Sequence, residues 1–209
     1  MGVNEYKGAH EIVSNGSCTT NCVAPVAQLM EDKIGIKKAM LSTIHAVTAE
    51  QNMVDGSPPG GHSQDLRRAR GALGNIIPTT TGAAKTVAKT IPELEGLFDG
   101  IAIRVPVACG SITDFTFVTK RETTVEEVNQ IFKDAVNEPR WRGIIAVTNE
   151  PLVSSDIVGR SESAIIDLEF TKVEDGDLVK VLAWYDNEWG FSSRLIEQTI
   201  AVGKYEEKK

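Results

Sequence analysis

Short segments rich in β-branched and aromatic residues recur along the chain, and they limit its possible folds more than any other feature. Six segments have the composition or alternation of strands: 38–47, 101–105, 111–119, 144–147, 164–170 and 178–185. The last two flank Glu174-Asp175-Gly176-Asp177, a sequence typical of the turn between antiparallel strands. Apolar residues at helical spacing follow Ser17, Thr124 and Asn187. The sequence therefore predicts an α+β fold, in which a mostly antiparallel sheet carries helices on one face.

The composition limits the partners and the cellular compartment. The 209 residues carry a net charge of −7, which disfavours nucleic acid or an anionic membrane as the main partner. No apolar run approaches the ~18 residues of a membrane span, and the N-terminus lacks the apolar core of a signal peptide. Three cysteines without the spacing of a disulfide scaffold indicate a reducing compartment, so we expect a cytoplasmic protein. From the charge and the lack of an apolar span we expect neither membrane nor nucleic-acid partners. No second Cys/His pair follows Cys18 and Cys22, and no metal site is expected.

A polar run, Ser14-Asn15-Gly16-Ser17-Cys18-Thr19-Thr20-Asn21-Cys22, leads into the first predicted helix. Ser17 is a candidate N-cap, which places Cys18 in the first turn, where unpaired N–H groups and the helix dipole favour a negative group. Such a position lowers the pKa of a thiol, so we expect Cys18 to be a nucleophile at neutral pH. The alternative is a buried structural cysteine, which is the commoner fate of a free thiol. The polar neighbours argue against that alternative.

A nucleophilic cysteine needs a base, and the chain has three histidines. His10 lies near the start and His62 lies in a loop rich in glycine and proline. His45 lies on a predicted strand 27 residues after Cys18, a separation that suits a helix followed by a returning strand. His45 is therefore the candidate base, although a strand histidine is more often a structural residue.

Three further features have both a functional and a purely structural interpretation. The hydroxyl-rich segment 78–85 leads into a helix, where backbone N–H groups and threonine hydroxyls can bind phosphate, or where the hydroxyls simply cap the helix. Arg104 lies between apolar residues of a predicted strand and is either a surface residue or an anion ligand. The basic cluster 65–70 likewise suits either a solvated face or a binding surface.

Several of these segments together resemble the catalytic half of phosphorylating glyceraldehyde 3-phosphate dehydrogenases. The matching blocks occur in order at 14–22, 43–48, 65–70, 79–85, 104–106 and 184–190. The family's nucleotide-binding half has no counterpart apart from residues 2–4, which resemble its last strand, and no Gly-x-Gly-x-x-Gly fingerprint occurs. The resemblance implies three parts: 1–13 as the exit from a nucleotide-binding domain, 14–186 as the catalytic domain, and 187–209 as a terminal helix and tail that pack on the nucleotide-binding domain.

The same resemblance implies a reaction. The Cys18 thiolate attacks the aldehyde with His45 as base, hydride passes to NAD (with NADP not excluded), and inorganic phosphate releases the resulting thioester as 1,3-bisphosphoglycerate. By similarity, Thr48 and Arg104 bind the phosphate of glyceraldehyde 3-phosphate, and Asn187 contacts the nicotinamide amide. Four residues are implied for the attacking phosphate: Ser17, Thr19, Thr81 and Gly82. The family assembles as a homotetramer in which the counterpart of 51–76 packs near the cofactor of a neighbouring subunit.

Two alternatives to this dehydrogenase remain open from the sequence. One is a cofactor-free Cys–His acyltransferase or hydrolase, which uses the same thioester chemistry without hydride transfer. The other is a chain without activity that acts as an interaction module. The two anion subsites and the block around Asn187 favour the dehydrogenase.

Overall fold

The structure is a computed structural model that describes residues 6, 8, 10–58 and 65–206. Its α-helices are α1 (Cys18–Lys33), α2 (Ala83–Ala88), α3 (Val125–Ala135) and α4 (Trp189–Glu206). Its strands are β1 (Ile36–His45), β2 (Ile77–Thr80), β3 (Phe98–Arg104), β4 (Ser111–Thr119), β5 (Ile145–Thr148), β6 (Ala164–Glu174) and β7 (Leu178–Tyr185). Short 3-10 turns occur at Leu66–Ala69, Ala72–Gly74, Pro92–Leu94 and Ser154–Ile157.

The strands of the described residues form one sheet in the order β2-β3-β1-β4-β7-β6-β5. Neighbouring strands are antiparallel except for the β1–β3 and β5–β6 pairs, which are parallel. The predicted α+β class with a mostly antiparallel sheet is therefore confirmed. β1 is an inner strand of the sheet and ends at His45, so this histidine lies where the C-terminal end of β1 leaves the sheet.

The two faces of the sheet differ in burial. Phe115 and Phe117 of β4 project towards the helices and stack with ring centroids 5.6 Å apart. On the opposite face Met40, Ile101 and Leu178 are exposed although they are apolar. The burial pattern supports this difference between the faces, because buried and less buried residues alternate along β1 and β4. The helices thus cover one face of the sheet, as predicted.

Helix α1 begins and ends where its sequence favours a boundary. The Ser17 Oγ accepts a hydrogen bond from the Thr20 backbone N–H at 3.0 Å, which makes Ser17 the predicted N-cap. At the other end Gly35 has a φ of +82°, and its N–H bonds the Met30 carbonyl at 2.9 Å. Glycine is favoured there because a side chain strains this left-handed conformation. The N-cap at Ser17 makes Cys18 the first residue of α1, and the turn at Gly35 follows the last residue, Lys33.

Some elements differ from the expectations. Strand β2 falls where the sequence suggested only a hydroxyl-rich turn, and its Ile77 pairs with Arg104 of β3. The terminal helix begins at Trp189 rather than at Asn187. The suggested strand at 2–4 and the histidine His62 lie outside the described residues. How the three proposed parts of the chain divide therefore stays a prediction.

Two features are absent from the described part of the chain. None of its helices has both the length and the apolar character needed to cross a membrane. Within the same residues, no group of three or more histidine, cysteine or acidic side chains is arranged to hold a metal ion.

Candidate active site

Cys18 and His45 meet at the centre of the candidate site. Cys18 is the first residue of α1, and His45 is the last residue of β1. The Cys18 Sγ lies 3.3 Å from the His45 Nε2, within hydrogen-bonding range for sulfur. The helix and the strand are held together by the core beneath them, so the two side chains that the sequence paired at a separation of 27 residues are brought into contact.

The orientation of the His45 ring is set by its other nitrogen. His45 Nδ1 lies 2.7 Å from the Ala46 carbonyl, which also accepts a hydrogen bond from Arg104 Nη1 at 2.9 Å. A carbonyl can only accept, so this contact favours a proton on Nδ1 and a lone pair on Nε2 that faces the thiol, whereas the Arg104 guanidinium can only donate and its contact with the same nitrogen favours the reverse. Arg104 Nη1 is also 2.5 Å from Nδ1 and acts on His45 as a neighbouring positive charge.

The protonation state of the pair differs from the expected thiolate. Burial raises the pKa of the Cys18 thiol, and this outweighs the opposing hydrogen bonds of Thr19 and the charge of Arg104. Burial, followed by the charge of Arg104, lowers the pKa of His45 to about 4. The expectation of a lowered thiol pKa is therefore wrong for the structure, because loss of water at the sulfur exceeds the effect of the helix N-terminus. At neutral pH the pair is a thiol beside a neutral imidazole.

Arg104 is not a surface residue of its strand. Its side chain is 13% exposed, and its Nη2 lies 3.8 Å from a carboxylate oxygen of Glu50. The same oxygen accepts a hydrogen bond from Arg68 Nη1 at 2.8 Å, and the Arg68 side chain is 6% exposed. Arg68 is further held by Asp65 at 3.2 Å. The cluster joins Arg104, which contacts His45, to a second largely buried guanidinium group through Glu50, and this excludes the surface interpretation of Arg104.

Thr48 follows His45 by three residues and is held by a side chain that the sequence did not single out. Its backbone N–H and its hydroxyl both donate to the Gln51 Oε1, at 2.8 and 3.2 Å. Gln51 is 8% exposed. The position of Gln51 directly after Glu50 in the sequence gave no sign of this role, because glutamine and glutamate are ordinary loop residues.

The residues proposed for the attacking phosphate make local bonds. The Ser17 hydroxyl caps α1, and the Thr81 hydroxyl accepts from the Ala83 N–H at 3.2 Å at the start of α2. Gly82 is the N-cap of α2 and has open space where a Cβ would lie. Among the described residues no hydrogen bond joins any of these three to Cys18 or His45. Their roles as phosphate ligands stay predictions.

Tyr185 of β7 connects strand β1 and helix α1 beneath the site and was not predicted. Its hydroxyl lies 3.0 Å from the Thr19 Oγ1 and 2.8 Å from the Thr43 Oγ1, and its ring packs edge-on against His45 with centroids 5.9 Å apart. The buried Thr19 hydroxyl therefore supports the framework of the site. Burial raises the pKa of Tyr185 well above its usual value, which keeps the phenol protonated.

Asn187 is fixed immediately before α4. Its Oδ1 accepts hydrogen bonds from the Gly110 N–H at 3.1 Å and the Ser111 hydroxyl at 2.9 Å. The adjacent Asp186 accepts from the backbone N–H groups of Glu188 and Trp189. The Asn187 amide nitrogen has no acceptor among the described residues. A donor held in this orientation fits the carbonyl oxygen of a nicotinamide carboxamide.

The fold and the contact between Cys18 and His45 together define a class, α+β domains that present a cysteine in the first turn of a helix to a strand histidine. The chain belongs to the glyceraldehyde 3-phosphate dehydrogenase family, because the model of that family's C-terminal domain matches residues 17–187. This assignment agrees with the resemblance drawn from the sequence blocks.

Individual relatives agree with the family assignment. The chain is 48% identical over 206 residues to the glyceraldehyde-3-phosphate dehydrogenase of Streptomyces coelicolor, and 50% identical over 206 residues to glyceraldehyde-3-phosphate dehydrogenase 2 of Streptomyces avermitilis. It is also 48% identical over 206 residues to the glyceraldehyde-3-phosphate dehydrogenase of Mycobacterium tuberculosis. These alignments cover 97 to 98% of the chain but only 59 to 60% of the relatives.

Proposed function

We propose that the chain provides the catalytic residues for NAD-dependent oxidation and phosphorylation of glyceraldehyde 3-phosphate to 1,3-bisphosphoglycerate, a step of glycolysis. The observation that carries this proposal is the 3.3 Å contact between Cys18 Sγ and His45 Nε2 at the start of α1. We take the identity of the substrate from the family and from the names of the relatives.

The first chemical step belongs to Cys18 and His45. The neutral imidazole accepts the thiol proton at Nε2, and the sulfur attacks the aldehyde carbon to give a thiohemiacetal. The lowered pKa of His45 leaves the imidazole unprotonated at neutral pH and free to receive this proton, and it also makes the imidazole a weaker base than an exposed histidine. The imidazolium that results is then placed to donate to the substrate oxygen, on which negative charge develops.

The proposed use of NAD rests on Asn187 and on membership of the family. NAD, when bound, supplies the acceptor for the hydride whose removal leaves a thioester on Cys18. Asn187 would donate from its amide nitrogen to the nicotinamide carboxamide, while Gly110 and Ser111 keep its Oδ1 turned inwards. NADP is not excluded, because the residues that read the ribose belong to a nucleotide-binding domain, which the described residues do not contain.

The anionic groups of the reaction require cations and N–H donors. We assign the substrate phosphate to Arg104 and Thr48, and the attacking phosphate to Ser17, Thr19, Thr81 and Gly82. The burial of Arg104 supports its assignment, because a desolvated guanidinium binds a phosphate more strongly than an exposed one. The buried Arg68 adds a second positive charge to the same region.

The surfaces of the chain support assembly with further protein. The apolar face of α4 is exposed at Leu195, Ile196 and Ile200, and we propose that a nucleotide-binding domain covers it. The open sheet face with Met40 and Ile101 is similarly suited to contact other subunits in a homotetramer. The three described cysteines are free, which suits the reducing cytoplasm.

Turnover by the complete enzyme tests the proposal. We would join the chain to the nucleotide-binding domain of a close relative and follow NADH absorbance with glyceraldehyde 3-phosphate, NAD and phosphate. Cys18→Ser should reduce turnover to background, because at neutral pH a hydroxyl is a far weaker nucleophile than a thiol. Cys22→Ala, on the same helix and fully buried, is the matched control and should remain active.

Each result separates the proposal from its alternatives. Near-normal NADH formation by Cys18→Ser would contradict the thioester mechanism. Hydrolysis of thioesters by the 209-residue chain, without NADH formation by the complete enzyme, would favour the acyltransferase or hydrolase. If neither activity is found although the protein is folded, the interaction module remains. The 209-residue chain by itself is expected to form no NADH.

A further inference from the structure

Asn15-Gly16 directly precedes the N-cap Ser17 and is the only asparagine–glycine pair in the sequence. The pair lies outside the helices and strands, in the stretch 11–17 that leads to Cys18. Asparagine is one of the chemically labile residues of proteins. A following glycine increases this lability, because a residue without a Cβ lets its backbone nitrogen approach the asparagine side chain closely. The segment that positions the candidate nucleophile therefore contains a site of chemical change.

The backbone nitrogen of Gly16 is available for reaction. Gly16 is exposed and has a φ of +70°, a conformation that glycine adopts readily. Its N–H donates to the hydroxyl of the exposed Ser14 at 3.1 Å, and to no backbone carbonyl in the described part of the chain. A bond to an exposed hydroxyl exchanges easily for a bond to water, so it does not protect this nitrogen.

The side-chain amide of Asn15 is held from one side. Its Nδ2 donates to the Phe191 carbonyl at 3.2 Å, and because a carbonyl only accepts, this contact assigns the nitrogen. The Oδ1 accepts no hydrogen bond from any residue that the structure describes. Asn15 is only half-buried, so water has access to its side chain. The amide carbon thus lies next in sequence to the Gly16 nitrogen without a bond that shields its carbonyl.

We infer that Asn15 is a modification site at which the chain deamidates without another enzyme, and that this change inactivates Cys18 as the protein ages. The Gly16 nitrogen attacks the Asn15 Cγ and releases its proton to water. The Cγ–Nδ2 bond breaks, and Nδ2 takes up a proton and leaves as ammonia. Water then opens the cyclic imide. Attack at Cγ gives aspartate, and attack at the main-chain carbonyl carbon gives isoaspartate.

Both products disturb the contact between Cys18 and His45. Isoaspartate adds a carbon atom to the main chain just before Ser17, whose cap places Cys18 at the start of α1. Either product introduces a negative charge three residues before Cys18, which disfavours a thiolate. Either product also lacks the amide nitrogen that bonds the Phe191 carbonyl of α4. The effect on activity rests on the proposed function, whereas the modification itself can be measured without turnover.

Mass spectrometry of the folded 209-residue chain tests the modification. During incubation in mildly alkaline buffer, the peptide that contains Asn15 should gain the mass difference between a hydroxyl and an amino group. Enzymatic methylation identifies the isoaspartate, and digestion at acidic pH limits change during preparation. Asn149, which is exposed and followed by glutamate, is the internal control and should stay unchanged.

Two substitutions slow the reaction by different means. Asn15→Gln keeps an amide but requires a larger ring, and Gly16→Ala crowds the attacking nitrogen with a Cβ. Each should slow conversion about tenfold or more. Asn15→Gln leaves the backbone at Gly16 unchanged, so it retains the test if alanine is poorly tolerated at the φ of +70°.

Activity of the complete enzyme tests the consequence, with a thiol reductant present so that oxidation of Cys18 does not contribute. The loss of NADH formation should follow the converted fraction of Asn15, and Asn15→Gln should lose less activity over the same period. Asn15→Asp reproduces one product and should lower kcat/KM about threefold or more. Asn149→Asp adds the same charge at an exposed position and should keep kcat/KM within about twofold.

The outcomes separate this inference from the proposed function. Conversion of Asn15 only after unfolding in urea would overturn the inference, and so would equal conversion of Asn15 and Asn149. A fully converted enzyme with unchanged kcat/KM would refute the effect on Cys18. Conversion at Asn15 in a complete enzyme that never forms NADH would support the modification site and reject the dehydrogenase proposal.

Discussion

Protonation of His45 should destabilise the folded chain, and the structure gives the size of the effect. Burial first, and the charge of Arg104 second, lower the pKa of His45 from 6.5 to about 4. Between these values the unfolded chain binds a proton that the folded chain excludes, so the free energy of unfolding rises with pH across this window. The contribution is complete above pH 6.5 and is lost as the pH falls. At about 1.4 kcal/mol for each pKa unit, the loss between pH 7 and pH 5 is about 2 kcal/mol.

The substitution His45→Asn isolates this contribution, because asparagine is polar but does not titrate. Urea unfolding at pH 7 and pH 5 should show that the unchanged chain loses about 2 kcal/mol more than His45→Asn. Carboxylates titrate in both proteins, so their effect cancels in the comparison. His10→Asn is the matched control: His10 is exposed, and this variant should lose as much stability as the unchanged chain.

Two results would refute the reasoning. Equal losses of stability in His45→Asn and the unchanged chain would show that folding does not disfavour the imidazolium. A larger loss in His45→Asn would show the opposite sign, a histidine stabilised by its charge in the folded chain. That second result would indicate a thiolate–imidazolium pair with Cys18 rather than the neutral pair.

Two further substitutions test the framework around the site by urea unfolding. Gly110→Ala should cost about 3 kcal/mol, because Gly110 has a φ of +90° and a Cβ there would lie 2.2 Å from the Ser154 carbonyl oxygen. Gly74→Ala, which meets open space, is its control and should cost less than about 1 kcal/mol; equal costs would contradict the steric argument. Tyr185→Phe should cost about 1–2 kcal/mol, because it removes the hydroxyl shared by two threonines. An unchanged unfolding midpoint would show that these hydroxyls find other partners.

The sheet could be predicted because most strands carry their own signal. The 111–119 segment alternates along its length, and in the structure every second residue of β4 is buried against the helices. Strand β2 lacked such a signal, because Ile77–Thr80 contains a proline and two threonines. Proline is tolerated there because β2 is an edge strand with only β3 beside it. Its place in the sheet follows from the tertiary pairing with β3, which no local pattern shows.

In the candidate site, too, features set by adjacent residues could be predicted, whereas contacts between residues far apart in the sequence could not. Cys18 could be placed at a helix start because Ser17 is a strong N-cap, a property of adjacent residues. Glu50 and Arg68 are brought together across 18 positions by the loop that precedes β2. A loop without periodicity gives no basis for predicting that contact. Sequence reasoning therefore paired Cys18 with His45, which lie 3.3 Å apart in the structure, but did not predict the charged cluster behind them.

Burial also explains the error about the protonation of Cys18. Its polar neighbours argued against a buried structural cysteine, yet Thr19 and Thr20 are 5% and 7% exposed, and their hydroxyls bond Tyr185 and Ser17. A polar sequence around a thiol therefore indicates satisfied hydrogen bonds and not water. The thiol keeps its proton because of this burial, and in the proposed mechanism its ionisation depends on His45. An anion bound to Arg104 would offset one of the two causes that lower the pKa of His45, so under the proposed assignment of Arg104 the substrate phosphate would strengthen the base.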